Sequence, residues 1–163
     1  MWRAVRAGRD PTLGAPSKSR WSNGEFDVLY TSLERDGALA EINALLSLQP
    51  VFPSKMRWFC YELKVRAAKT LRLADLPALQ KLGVDTQAYQ ERHYERTQAI
   101  ADAAFFLGFD GLIAPSARWE CNNLVLFTSR LQPSDVEIAS ETVDQIDWAR
   151  WRRERQFKSA VKP

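Results

Sequence analysis

Apolar and polar residues alternate along "RWFCYELKVRA", with Phe59, Tyr61, Leu63 and Val65 on one side of an extended chain and Cys60, Glu62 and Lys64 on the other. That alternation predicts a strand. "EFDVLY" predicts another, opposing Phe26, Val28 and Tyr30 to Asp27 and Leu29, and "MWRAVR" a short one before a Gly-, Pro- and Ser-rich loop through Ser19. Ser32 is placed to cap a helix running to about Leu48, where Pro50 and Pro53 enforce a stop. "TLRLADLP" predicts a short strand and a helix entry with Pro77 in the first turn. "YERTQAIADAAFFL" predicts a helix over Tyr94–Leu107, ended by Gly108 and Gly111. "GLIAP", "NLVLF" and "VEIAS" read as three further strands. Strands interleave with helices without strict alternation, which predicts an α+β (mixed α/β) domain with a central sheet as its core.

Composition narrows the picture. A chain of 163 residues, 45% apolar and 11% aromatic, fits one domain with a genuine core. It has no apolar run of about 18 residues and no signal-peptide core in "MWRAVRAGRD", so the expectation is a cytoplasmic protein with no membrane partner. Cys60 and Cys121 are too few for a disulfide framework and lack metal-ligand spacing, so both are expected as buried free thiols. His93, the single histidine, is expected at a solvated position, and neither a metal site nor a bound cofactor is expected.

The formal charge is +3, but its location matters more than its size. Residues 148–163 hold six of the 23 basic side chains and one of the 20 acidic ones, which leaves residues 1–147 at −2. The division expected is a body over 1–147 and a basic, helical tail over 148–163. Such a tail reads as a solvated terminal helix, a frayed end, or a docking segment for an acidic partner or nucleic acid.

Glu41 stands in the wrong place. At about 100° per residue, Gly37, Ala38, Ala44, Leu45 and Leu48 fall within about 60° of it, so its carboxylate points inward. Burial costs several kcal/mol unless the group is paired, hydrogen-bonded or protonated. The options are a structural ion pair with Arg20 or Arg3, or a carboxylate on the floor of a cleft. Arg20, in "RWSNG", either stacks on Trp21 at the surface or offers its planar fork to an anion. Tyr30 is expected at a strand end that lines a cleft or else in the core. Ser116, in "APSAR", lacks both the nucleophile-elbow pattern and a neighbouring base. It can cap a turn or hold a ligand hydroxyl or phosphate.

Arg3 in "WRAV", Arg20 in "SRW", Tyr30 in "VLYTS", Glu41 in "ALAEI", then "GFDGLIAPSAR" and "NNLVLF", form an ordered set that resembles the RES-domain family over Arg3 to Phe127. That resemblance implies a fold like that of ADP-ribosyltransferase toxins, a central mixed sheet flanked by helices. It implies the toxin of a bacterial toxin–antitoxin pair, one that depletes cellular NAD by hydrolysis or phosphorolysis. NAD is then the substrate, with inorganic phosphate as a candidate co-substrate. The implied partner is a cognate Xre-like helix-turn-helix antitoxin, with DNA reached only through it and a homo-oligomer admitted. The residues carried over are Glu41 as the catalytic carboxylate, with Arg20, Tyr30 and Ser116 beside it, and Arg3 and Asn123 as further NAD-binding positions. Two other classes stay open: an ADP-ribosyltransferase acting on a macromolecule, and a nucleic-acid-binding protein that uses the basic tail.

Overall fold

The computed structural model describes residues 1–140 and 143–160, with side chains through 155. Its strands are β1 (Trp2–Arg6), β2 (Ala15–Pro16), β3 (Asp27–Ser32), β4 (Trp58–Val65), β5 (Thr70–Arg72), β6 (Gly111–Pro115), β7 (Asn122–Phe127), β8 (Val136–Ile138) and β9 (Asp144–Gln145). The helices are α1 (Arg35–Leu46), α2 (Leu76–Lys81), α3 (Glu95–Phe106) and α4 (Trp148–Ala160). Among the described residues the strands form a single sheet in the order β5-β6-β7-β3-β1-β4-β8, with β2 on β3 and β9 on β4. β5 runs parallel to β6 and the other neighbours are antiparallel, so the sheet is mixed and the domain α+β.

Strand alternation assigns the two faces. Leu29, Leu63, Leu124, Leu126 and Val136 share one face, around which the sheet curls. On the other face Val28, Leu112, Val125 and Phe127 meet Ala101 and Ala104 of α3. There Phe26 and Phe105 stack with centroids 4.4 Å apart, and Phe127 meets both edge-on. Farther along this second face Ala4 and Cys60 pack with Leu39 and Leu46 of α1 and Trp148 of α4. The register Trp2↔Ser32 and Trp2↔Glu62 keeps the even-numbered positions of β1, β3 and β4 together, so both helix-covered clusters lie on one side. β1 and β3 pair only at Trp2↔Ser32 and then diverge, and β2 fills the far end of the gap against Val28 and Asp27. The surface between the two clusters is left open as a cleft.

Several expectations stand: the strand of "RWFCYELKVRA", Pro77 in the first turn of α2 behind the Asp75 cap, and Gly108 at φ +74° just past α3. Others are corrected. Ser32 does not cap α1. It closes β3 opposite Asn123, its Oγ lies 3.2 Å from Cys121 Sγ, and the helix starts at Arg35 and stops at Leu46. Gly111 opens β6 rather than ending α3, and a Cβ there would collide with the Val125 carbonyl. Cys60 is a buried thiol as expected, whereas Cys121 is half-buried. Trp148 is buried and Trp151 packs beside it, so α4 lies against the body; residues 161–163 of the expected tail lie outside the described residues.

Candidate active site

The cleft has a volume of about 430 Å³. Arg3 from β1, Arg20, Tyr30 from β3, Glu41 from α1 and Asn123 from β7 line it. Ser116 sits between two lining residues, Pro115 and Ala117, with its hydroxyl turned to Glu41. Chain segments far apart in sequence thus bring all six candidate residues together.

Glu41 Oε1 accepts from Ser116 Oγ at 2.6 Å and from Asn123 Nδ2 at 2.9 Å. The direction of the first bond is forced. Ser116 Oγ itself accepts the Arg118 N–H at 3.1 Å and the Trp119 N–H at 3.2 Å, which fills both lone pairs and leaves its one proton for the carboxylate. Ser116 therefore caps its turn and supports Glu41 at once. Asn123 is 7% exposed; it turns its amide N–H to Glu41, and its Oδ1 is buried with no hydrogen-bond partner among the described residues. Glu41 Oε2 also has none. The ion pairs among the described residues do not include Glu41, so its partners are neutral donors rather than Arg20 or Arg3.

Gly37 allows this arrangement. A Cβ there would collide with Ser32 Oγ and Cys121 Sγ, so glycine lets the first turn of α1 lie directly against the end of β3 and the 116–121 turn. Ser116 N–H donates to the Cys121 carbonyl at 2.8 Å and closes that turn.

Arg20 is held differently. Its guanidinium carbon lies 4.4 Å from the Tyr89 ring centroid and 5.0 Å from that of Tyr94, and Nη2 donates to the Glu91 carbonyl at 3.3 Å. It does not stack on Trp21, which is 1% exposed in the core. The Tyr30 hydroxyl accepts the Trp21 N–H at 2.8 Å and lies 2.8 Å from Ser19 Oγ. Gln98 of α3 donates to the Ser19 and Ser22 carbonyls at 2.8 and 3.1 Å. Tyr30 lies two residues inside β3 rather than at its end, and its hydroxyl ties the Arg20 segment to the sheet. Burial pushes its pKa up to about 12, against smaller opposing effects from Ser19 and Trp21. Tyr89 is pushed up as well, chiefly by burial with Arg20 opposing. Arg3 Nη1 donates to the Pro11 and Leu13 carbonyls at 2.7 and 2.8 Å, pinning the loop after β1. Burial lowers its pKa to about 10, with the nearby Asp10 charge opposing.

Sequence reasoning did not find Lys18, Arg92 and Arg118, which also line the cleft, nor Tyr89, Tyr94 and Gln98, which hold the Arg20 segment. Arg92 lies in the charge run "QERHYER", which reads as a solvated face, and its place on the cleft follows from the fold alone. His93 is 76% exposed, 3.5 Å from Glu91. Around the cleft five cationic side chains face one carboxylate. Such a surface suits a polyanion, part of which develops positive charge beside the carboxylate. Among the described residues no cluster of three or more His, Cys, Asp or Glu side chains could hold a metal ion, and no helix is long and apolar enough to cross a membrane.

The RES domain family model matches residues 1–151. The fold is similar to that of a chain in the solved M. tuberculosis MbcT–MbcA toxin–antitoxin complex, with TM-score 0.79 and 19% identity over 95% of this chain and 87% of that chain. No curated protein matches the sequence.

Proposed function

This chain belongs to the RES-domain family, and we propose that it is the toxin of a toxin–antitoxin pair that depletes cytoplasmic NAD by cleaving the nicotinamide–ribose bond. The observation that carries this reading is the state of Glu41: one oxygen fixed by two neutral donors, the other without a partner among the described residues, in a cleft whose other charged lining residues are all cations.

Cleavage of that bond leaves oxocarbenium-like charge on the ribose as neutral nicotinamide departs. A carboxylate already in position stabilises such charge without reorganising. In this reading Glu41 Oε2 faces the ribose, while Oε1 stays on Ser116 and Asn123. Arg20, with Arg3 behind it, takes the diphosphate, and the Tyr30 ring lines the nicotinamide–ribose end. Nicotinamide is a good leaving group, so positioning and electrostatics suffice without a nucleophilic side chain. The ribose carbon then bonds to water, giving ADP-ribose and a proton, or to inorganic phosphate, giving the ribosyl phosphate.

A protein that destroys NAD needs restraint in its own cell. The similar fold was solved as a toxin–antitoxin complex, which supports a partner that covers the cleft. We assign that role to an antitoxin of the Xre-like helix-turn-helix type, through which the toxin would reach DNA.

The test is incubation of purified protein with NAD, with and without phosphate, beside Glu41→Gln, which keeps the side-chain shape and removes the charge. The expected result is nicotinamide release by the parent and almost none by the folded variant. Equal release by both, or intact NAD in every sample, overturns the proposal.

A further inference from the structure

The basic C-terminal helix directs its last described side chain inward. The Arg155 side chain is 20% exposed; it pairs with Asp36 in the first turn of α1, and its guanidinium carbon lies 4.7 Å from the Trp119 ring centroid. One turn earlier, Trp151 Nε1 donates to the other Asp36 oxygen at 2.9 Å. Trp119 Nε1 donates to Glu34 Oε2 at 3.1 Å, beside the start of α1. Arg155 thus grips two pieces at once: α1, which carries Glu41, and the 116–121 turn, which carries Ser116.

Those two pieces set the 2.6 Å bond between Ser116 and Glu41. The Trp119 N–H donates to Ser116 Oγ, so a shift of the Trp119 ring moves the hydroxyl that holds the carboxylate. From this geometry we infer that Arg155 is a positioning residue for Glu41, acting through Asp36 and Trp119 to fix the spacing between α1 and the 116–121 turn. It lies four residues beyond the family match, while Asp36 and Trp119 lie within it. The kinetic half of the inference rests on the NAD-cleaving reading; the structural half does not.

Cys121 makes the structural half measurable. It ends the turn, is half-buried and packs beside Ser32, whereas Cys60 is 2% exposed in the core and reports global opening. The experiment compares thiol-labelling rates of both cysteines, and kcat and KM for nicotinamide release, in the parent, Arg155→Ala, Arg155→Lys and Arg153→Ala, the last an exposed position on the same helix. In Arg155→Ala, Cys121 should label several-fold faster with Cys60 unchanged. Its kcat should fall about tenfold, the scale of one weakened hydrogen bond to a charged group, with KM unchanged. Arg155→Lys keeps the pair with Asp36 and should fall between Arg155→Ala and the parent, while Arg153→Ala should match the parent. Parental Cys121 labelling in Arg155→Ala overturns the inference, as does equal acceleration of both cysteines. Faster Cys121 labelling with parental kcat overturns the link to Glu41. If the parent itself releases no nicotinamide, the labelling still decides the clamp, and the NAD reading fails separately.

Discussion

The two charged walls of the cleft are built on opposite plans. Arg20 rests on flat apolar surfaces, the Tyr89 and Tyr94 rings, with a single main-chain carbonyl against its fork. Glu41 is held by hydrogen bonds alone, both on one oxygen and both from neutral groups. Neither wall uses the other as its partner. Had Arg20 and Glu41 formed a pair, a ligand would first have to break it, and removing one partner of a buried pair leaves an uncompensated charge costing about 3–5 kcal/mol. Neutral supports instead keep one unspent cation and one unspent carboxylate oxygen in the same cleft. In the NAD reading, that suits a substrate with phosphate at one end and a sugar that gains positive charge at the other as its neutral leaving group departs.

Beyond the loss expected of Glu41→Gln, the comparison can be broken from either side, with Arg20 on its wall expected to give a larger effect than the supports of Glu41 on the other. If Arg20 takes the diphosphate as proposed, Arg20→Ala should remove a charge-assisted contact worth about 1.5–3 kcal/mol, roughly 10- to 150-fold in Kd. Calorimetry with NAD on a Glu41→Gln background measures this without turnover. Unchanged affinity there would remove Arg20 from the binding wall.

On the carboxylate wall Ser116→Ala deletes one of the two donors to Glu41 and leaves the Arg118 and Trp119 N–H groups without their acceptor. Asn123 remains, so kcat should fall by about tenfold, with KM for NAD within about twofold. A rise in KM with kcat preserved would show that Ser116 contacts substrate rather than supporting Glu41.

The two walls were unequally legible in the sequence. Glu41 announced itself because a carboxylate amid Ala38, Ala44 and Leu45 breaks an apolar arc, a local signal that needs no tertiary knowledge. The strands below it followed from alternation. Its true partners did not, since Ser116 and Asn123 lie 75 and 82 residues away and look like ordinary turn and strand-edge polar residues. On the other wall Trp21 invited a stacking partner next door to Arg20. Arg20 and Trp21 form the tip of a tight turn closed by Ser19 and Ser22, and from that turn Trp21 enters the core while Arg20 meets Tyr89 and Tyr94, which come from a polar stretch without periodicity. Ser32 failed as a cap because β7 offered β3 two more ladder positions, at Leu124 and Asn123, and tertiary pairing overrode a local preference. The helix over residues 148–160 looked like a free tail because its charge dominated the reading. Trp148 and Trp151, three residues apart on one face, were the signal that it packs.

The finest test falls on Tyr30, whose ring lines the cleft while its hydroxyl serves the Arg20 segment. Tyr30→Phe keeps the ring and leaves the Trp21 N–H and Ser19 Oγ without that oxygen, so the segment should loosen and KM for NAD should rise a few-fold with kcat nearly unchanged. The same substitution has a pH signature. In the fold the hydroxyl titrates at about 12, above the value of about 10 for an unfolded tyrosine. A group whose folded value is raised contributes its full stability below pH 10 and loses it as pH climbs through 12, because the unfolded chain gives up the proton first. Phenylalanine has no proton to lose. Thermal unfolding should therefore place Tyr30→Phe below the parent at pH 8, by about 0.5–1.5 kcal/mol for the lost hydrogen bonds, and the gap should narrow between pH 10 and 12. A gap that stays constant across that range would mean that the hydroxyl is already ionised or solvated in the fold, and the anchoring of the Arg20 segment would have to be sought in Gln98 alone.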